Sequence, residues 1–581
     1  MTHRSRLLAA ACVVPALVIV GPALAPGFVL RYDMVFTPRQ PLLPESVGLG
    51  SALPRAVPAD AVVALATTVV PGDLLQKAVL LLTVWAAAYG MARLAPGAPL
   101  VAATFYTWSA YVAERLLIGH WSVLVAYACL PWVFAAGLKV RRGEPGGWPA
   151  LVLACAPAAL VPTGGVLAAG VAVAAAGMRR APLTLALAVG LNAPWWLPGL
   201  LHGAAGNGAS DPAAVDAFAA RGEGPGGAVV SVLGLGGIWN ADAVPAGRGG
   251  LLVPLVALLL VAAGGYGLWR LTATWGRAPV VALAGLAAAG VVLAVAATVP
   301  GPDAVLRWLV AEVPGAGLLR DGQKWVAWWA LAASLGCAMT AQTLISRSWT
   351  LLHRFRCTSV QDRGGWLASA ILVGAALLPV ALLPGLAWGV GGQLEPVRYP
   401  RDWYTVRAEL ARDPHRGDVL VLPFQPFRQF GWNDRRTQLD PAPRFLTRSA
   451  VVDDTLVVGD EALRGEDQRA AQVGAAIGDP GRLARLGIGW VLVEYGTPGT
   501  VEPAELAGLT RVHDGRWLAL YRVPGPISEP PAGVTGHAAA RATVLAADAA
   551  AALAVLVAFG AWLRRRLPAS TFMSVAGSGT T

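Results

Sequence analysis

The sequence predicts a polytopic α-helical membrane protein carrying a small α/β domain near its C-terminus, and three observations predict it. Only 14% of the 581 residues are charged and 56% are hydrophobic, whereas soluble domains carry about 25% charged residues; the mean hydropathy is +0.56. The apolar residues gather in runs of the length a helix needs to cross a bilayer, about 20 residues. Between 389 and 540 those runs give way to short strand-like and helix-like stretches.

About 12 spans can be read, at 7–28, 76–95, 98–113, 121–138, 149–162, 163–178, 182–201, 250–270, 279–299, 323–345, 366–388 and 541–563. The first follows the short basic start Met1–Arg6. Ala23-Leu24-Ala25 resembles a cleavage site, but the many later spans favour an uncleaved first helix. The pair at 149–178 is short for two crossings and reads as a broken hairpin held inside the bundle, which membranes tolerate where protein surrounds it. If the N-terminus is cytoplasmic, every inner loop is basic: Arg93; Lys139, Arg141 and Arg142; Arg179 and Arg180; Arg270 and Arg277; Arg347, Arg354, Arg356 and Arg363; and Arg564, Arg565 and Arg566. That pattern obeys the positive-inside rule and places both termini in the cytoplasm of a multi-pass protein of the plasma (inner) membrane.

The outer segments are then 29–75, 114–120, 202–249, 300–322 and 389–540. The first is too long for a plain connection and is expected to carry a helix lying on the membrane, within Arg55–Val70. In 389–540, strand-like runs at Val419–Pro423, Trp490–Glu494 and Trp517–Val523 alternate with helical patterns at Trp403–Arg412 and Arg482–Leu486, which indicates an α/β domain. The division expected is a bundle over 1–388, an extracytoplasmic domain over 389–540, a last span at 541–563 and a cytoplasmic tail over 564–581.

The net charge of +11 does not point to nucleic acid, because the cations sit in clusters between spans and not on one polar surface. The five cysteines (Cys12, Cys129, Cys155, Cys337, Cys357) avoid 389–540, so no disulfide is expected there, and no cysteine–histidine spacing argues for zinc. High Ala, Gly, Pro and Arg with few Lys is the composition of a GC-rich genome such as an actinobacterium's.

Chemistry-bearing residues collect at the outer boundary. Tyr32-Asp33 follows the first span, where a carboxylate could act as general base beside a lipid-borne phosphate; the plain alternative is a solvated loop aspartate. Glu114-Arg115 and His120-Trp121 flank one short outer turn, and His120 could act as acid, base or phosphate donor; an internal ion pair is the plain alternative. Arg320-Asp321-Gly322-Gln323-Lys324-Trp325 heads a span, so its cations add to the helix N-terminus as a phosphate site, against surface anchoring as the plain reading. Trp239-Asn240-Ala241-Asp242 suits sugar binding, although interface tryptophans are common without it. Asp548 lies inside the last span and is expected to face the bundle and pair with an arginine or water, in a structural role. Gln425, Arg428, Trp432, Asn433 and Asp434 follow a strand of the outer domain, where α/β folds often bind ligands. No nucleophile motif, P-loop or HExxH is present.

The aspartate after the first helix, the dozen spans, the C-terminal outer domain, the segment Leu319-Arg320-Asp321-Gly322-Gln323-Lys324 and the run from Leu486 to Val493 together resemble the GT-C superfamily of membrane glycosyltransferases. Its actinobacterial members include the large arabinofuranosyltransferases of mycobacterial cell walls. The resemblance implies a GT-C-like bundle and transfer of a sugar from a polyprenyl-phosphate donor to a cell-envelope glycan or lipid acceptor on the outer face. It implies Asp33 as base, with Arg320, Lys324, Arg115 and His120 holding the phosphate. Tyr32, Glu114, Asp321, Trp239, Asn240 and Asp242 are the further candidates. Many members pair two acidic residues in this loop where this chain has Tyr32-Asp33-Met34; no cofactor is fixed, and a divalent metal is left open. A non-catalytic scaffold of envelope assembly and a lipid or glycan transporter are the alternatives. A transporter should show polar, broken helices at the bilayer midplane, and here the charges sit mostly at the boundary, with Asn192-Ala193-Pro194 the main exception.

Overall fold

A computed structural model describes residues 3–51, 56–204, 211–354, 360–458, 461–529 and 536–566. It is a mostly helical membrane bundle with a small sheet domain packed on one end. Among the described residues, seven helices are long and apolar enough to cross a bilayer: His3–Leu24, Gly72–Leu94, Trp121–Arg141, Met178–His202, Leu252–Trp275, Arg277–Thr298 and Ala538–Arg564, with an eighth if the bent pair Trp366–Leu382 and Pro384–Gly391 is counted as one span.

The difference from twelve has physical causes. The run at 98–113 breaks at Trp108-Ser109 into Pro99–Thr107 and Ala110–Leu117, and the Ser109 hydroxyl caps the second piece by accepting from Val112 N. The run at 149–178 is two short helices, Gly147–Cys155 and Pro162–Ala176, parted by Pro157 and Pro162. Val326–Arg354 is the central strut, and almost every residue from Trp325 to Ala338 is buried. It meets Leu252–Trp275 backbone to backbone: a Cβ on Gly267 would overlap the Gly336 carbonyl, and one on Gly336 would overlap that of Gly264. Small residues are what bring membrane helices this close, since lipid supplies no hydrophobic force between them.

The polar residues of the spans are satisfied locally. Asn192 donates to Ala188 O at 2.8 Å and accepts from Trp195 Nε1 at 2.7 Å, so the main exception noted in the sequence is a helix-internal bridge. Asp548 is half-buried in Ala538–Arg564 with no hydrogen-bond partner among the described residues. Of the helix expected in Arg55–Val70, Ala59–Thr67 forms, while Arg55 lies outside the described residues. Cys357 is also outside them, and Cys12, Cys129, Cys155 and Cys337 are free thiols.

Among its described residues the sheet domain has nine strands: β1 Asp418–Leu422, β2 Phe427–Arg428, β3 Gln438–Leu439, β4 Ala450–Val451, β5 Leu456–Val458, β6 Glu461–Leu463, β7 Ile488–Glu494, β8 Thr510–Asp514 and β9 Leu518–Arg522. Five of them form one mixed sheet in the order β4-β1-β7-β9-β8, parallel from β4 to β7 and antiparallel beyond. β7 is buried along its whole length, as its unbroken apolar run requires of a central strand covered on both faces. Helix Arg401–Arg412 buries Trp403, Val406 and Leu410, at helical spacing, against that sheet.

The first loop is clamped between bundle and sheet. Phe28 bridges Val397, Tyr32 bridges Gln438, and the Tyr399 hydroxyl donates to Phe36 O at 3.0 Å. Gln76 pairs with both backbone groups of Val29, at 2.7 and 2.9 Å.

Candidate functional site

The clamp sets Asp33. Tyr32 takes a left-handed φ of 42°, which turns the chain sharply so that Arg31 and Met34 exchange backbone hydrogen bonds at 3.2 and 2.9 Å. On one side Tyr32 N donates to Thr437 O (2.6 Å) and Leu439 N donates to Tyr32 O (2.8 Å). On the other, Asp33 N and Arg31 Nε reach Ile118 O (3.3 Å) and Leu117 O (2.8 Å) on the turn after Ala110–Leu117. Gly119 closes that turn at φ 76°, and a Cβ there would overlap Arg31 O and Met34 N.

The Asp33 side chain is 45% exposed and accepts from His120 Nε2 at 3.1 Å. Burial pushes its carboxyl up, but the hydrogen bond from His120, with the charges of Lys324 and Arg444, outweighs burial and holds it below the ordinary carboxylate range. His120 is lowered, chiefly by burial and further by Arg115 and Lys324, against the pull of Asp33. Asp321 is held well below its usual value because Arg115 and Lys324 more than offset its burial. Lys324 is lowered by burial, in part restored by Asp321.

A cavity of about 490 Å³ opens in front of Asp33. One wall comes from the bundle loops and includes Tyr32, Asp33, His120, Arg320, Asp321 and Lys324; the facing wall comes from the sheet domain and includes Phe427, Asp440, Arg444 and Glu466. Lys324 pairs with Asp321 at 3.4 Å from the short turn Gly322–Trp325 at the head of Val326–Arg354. Arg320 reaches across to Glu466 at 3.1 Å and lies 5.2 Å over the Phe218 ring. Chemically, this is a carboxylate with an orienting imidazole, facing cations at a helix entry.

The candidates are not all on this surface. Trp239 lines the cavity, its ring edge-on to Phe218 at 4.7 Å. Asp242 touches the Tyr32 hydroxyl at 3.4 Å and Asn240 caps Asp242 N at 2.9 Å, and neither lines the cavity. Arg115 and Glu114 are also off the cavity wall and fully buried beneath it. Arg115 gives two bonds to Asp321, at 3.0 and 3.4 Å, and one to Gln323; Glu114 accepts from Gln323 at 2.9 Å. The helix face that carries them points into the bundle, where a charge must be paired, so Arg115 is committed to Asp321 and not presented to a ligand. In the sheet domain, Arg428 is buried between Asp440 and Glu494 and Asn433 donates to Leu30 O at 3.0 Å. Gln425 binds Pro498 O, Trp432 stacks on Phe430 at 4.9 Å, and Asp434 pairs with Arg436 at the surface. These loop residues build the domain rather than line the cavity.

Arg444 and Gln323 escaped the sequence reading. Arg444 lies in a different segment from everything it faces, and only chain closure brings it to Asp60 (3.1 Å) and Asp33. Gln323 sits inside the basic segment, where its neutral side chain gave no signal. Among the described residues no three His, Cys, Asp or Glu side chains gather to hold a metal ion.

No family model matches the sequence, and no curated protein matches it. Solved structures match by shape. Arabinofuranosyltransferase AftD from Mycobacteria superposes with a TM-score of 0.53 and 16% identity, covering 91% of this chain and 40% of that one. Two structures of a mutant of the same protein superpose at 0.52 and 0.51, each with 17% identity, over 42% and 41% of their length. The chain has a GT-C fold. It spans about two fifths of the length of those neighbours, and at this identity the likeness is one of fold.

Proposed function

We propose that this protein is a glycosyltransferase that moves a sugar from a polyprenyl-phosphate donor to a hydroxyl of a cell-envelope glycan or lipid, at the membrane face that carries the sheet domain. The observation that supports it is the single cavity lined by Asp33, His120, Arg320 and Lys324, at the end of a bundle that would bring a lipid-borne phosphate to that depth. In this reading both termini lie in the cytoplasm, 389–540 lies outside, and the sheet wall holds the acceptor.

Asp33 takes the acceptor proton as the hydroxyl oxygen bonds to the anomeric carbon. The bond from that carbon to phosphate oxygen breaks, and the phosphate leaves with one more negative charge. Lys324 and Arg320 stabilise that growing charge, which is where preorganised cations act most strongly. Asp33 is ready for this role because it stays ionised at neutral pH.

The test is transfer by the purified protein from polyprenyl-phosphate sugars to native envelope acceptor, comparing wild type with Asp33→Asn. A positioned base contributes about 10²–10⁴-fold, and a loss of that size is expected. Equal rates would keep the enzyme and remove Asp33. No transfer from any polyprenyl donor by folded protein would favour the scaffold.

A further inference from the structure

A guanidinium has N–H donors and no acceptor. Arg115 Nη1 lies 2.7 Å from His120 Nδ1, so that ring nitrogen must present its lone pair. The ring proton is therefore on Nε2, the atom 3.1 Å from the Asp33 carboxylate, and it is donated there. Arg115 cannot turn away. It is fully buried, bonded twice to Asp321 and once to Gln323, and lies 5.5 Å over the Tyr111 ring.

We propose that His120 is a positioning residue, locked by Arg115 as the neutral Nε2–H tautomer, which orients the Asp33 carboxylate and cannot take a proton from it. The charged groups that face the ring are Asp33, Arg115, Lys324 and Asp321, with Arg444 beside Asp33. An imidazolium would need a second proton on Nδ1, where the Arg115 N–H already points. Asp321 is the anchor of the chain, since it fixes Arg115 from the far side.

The consequence rests on the glycosyl transfer proposed above. The proton that leaves the acceptor hydroxyl stays on Asp33, because His120 already gives its one N–H and has no free nitrogen. It departs to the leaving phosphate, a monoester with a second pKa of about 6, or to water. A histidine that relayed protons would instead need both ring nitrogens available.

The lock can be read without any activity. The full chain in lipid nanodiscs, labelled with ¹⁵N-histidine and compared with His120→Gln to assign the signal, should show His120 with a bare Nδ1 and a protonated Nε2. That state should persist across about pH 5–8, where an unperturbed histidine titrates. A protonated Nδ1, or an imidazolium appearing near the ordinary value of about 6.5, overturns the proposal whether or not sugar is transferred. Kinetics test the positioning half. His120→Gln can restore the donated N–H and should retain a larger share of kcat than His120→Ala. In His120→Ala the acid limb of the pH profile should move up, because burial is then opposed only by more distant cations. An acid limb unmoved in His120→Ala, in protein with a wild-type thermal transition, overturns the positioning role.

Discussion

At the scale of the residue, Lys324 is the cation whose loss tests how the leaving phosphate is stabilised. Hydrogen bonds to charged groups contribute about 1.5–3 kcal/mol, which is about 10–150-fold in an equilibrium. Lys324→Gln should therefore lower kcat by about that factor, because its charge acts on the leaving phosphate, while leaving the protein folded, since the lysine is partly exposed. An unchanged kcat would move the leaving phosphate elsewhere. Asp321→Ala should act differently. It strands buried Arg115, and breaking one side of a buried pair costs about 3–5 kcal/mol, so a lowered unfolding midpoint is expected before any kinetic effect. The pH dependence follows from Asp33. Its folded pKa lies below the usual carboxylate value, so its ionised form, and the stability it confers, are fully present above about pH 3.9 and are lost only as pH falls through the lower folded value. Activity should have no acid limb in the mildly acidic range. Asp33, His120, Arg320 and Lys324 were legible in the sequence because ionisable groups at a membrane boundary need a reason to be there. The committed state of Arg115 was not, because its pairing with Asp321 depends on how a short helix is rotated.

At the scale of the element, the turn at Gly119 is where backbone geometry is most exacting. Its φ of 76° strains any side chain, and the added Cβ would overlap the turn that presents Asp33. Gly119→Ala should cut kcat by displacing Asp33 while leaving KM for the donor near wild type; equal losses in both would mean the whole cavity had shifted. Gly267→Leu tests the bundle instead. The helix pair touches through backbone atoms, and overpacking such a contact costs about 1–3 kcal/mol or more, so a lower midpoint is expected with the chemistry of surviving protein intact. The long apolar helices and strands β1, β7 and β9 could be read directly, since each is an apolar run of the length its element needs. The break at Ser109 could not be placed from hydropathy, because both halves of a broken helix are equally apolar, whereas the one within 149–178 showed in the shortness of its two halves.

At the scale of the molecule, the sheet domain is part of the site because it holds the loop that carries Asp33. The sequence showed an α/β region at 389–540 but not what it grips, because bridges such as Phe28 with Val397 join segments that share no local pattern. Asn433 is the side chain on which that grip can be tested. It is fully buried, and its amide donates to Leu30 O at 3.0 Å and to Gln438 at 2.6 Å. Asn433→Ala leaves the Leu30 carbonyl without that donor, at a cost of about 1–3 kcal/mol. Because β1, β7 and β9 do not involve Asn433, the sheet itself should survive. The expected result is a domain with wild-type tryptophan fluorescence, faster proteolysis within the Leu30–Phe36 segment, and transfer reduced in proportion to that loosening. Normal transfer alongside faster cleavage would show that the bundle turn at Gly119 alone suffices to set Asp33. Loss of the sheet signal would make Asn433 a determinant of the domain's own fold and would return the question to Tyr399, whose hydroxyl holds Phe36 from the same side.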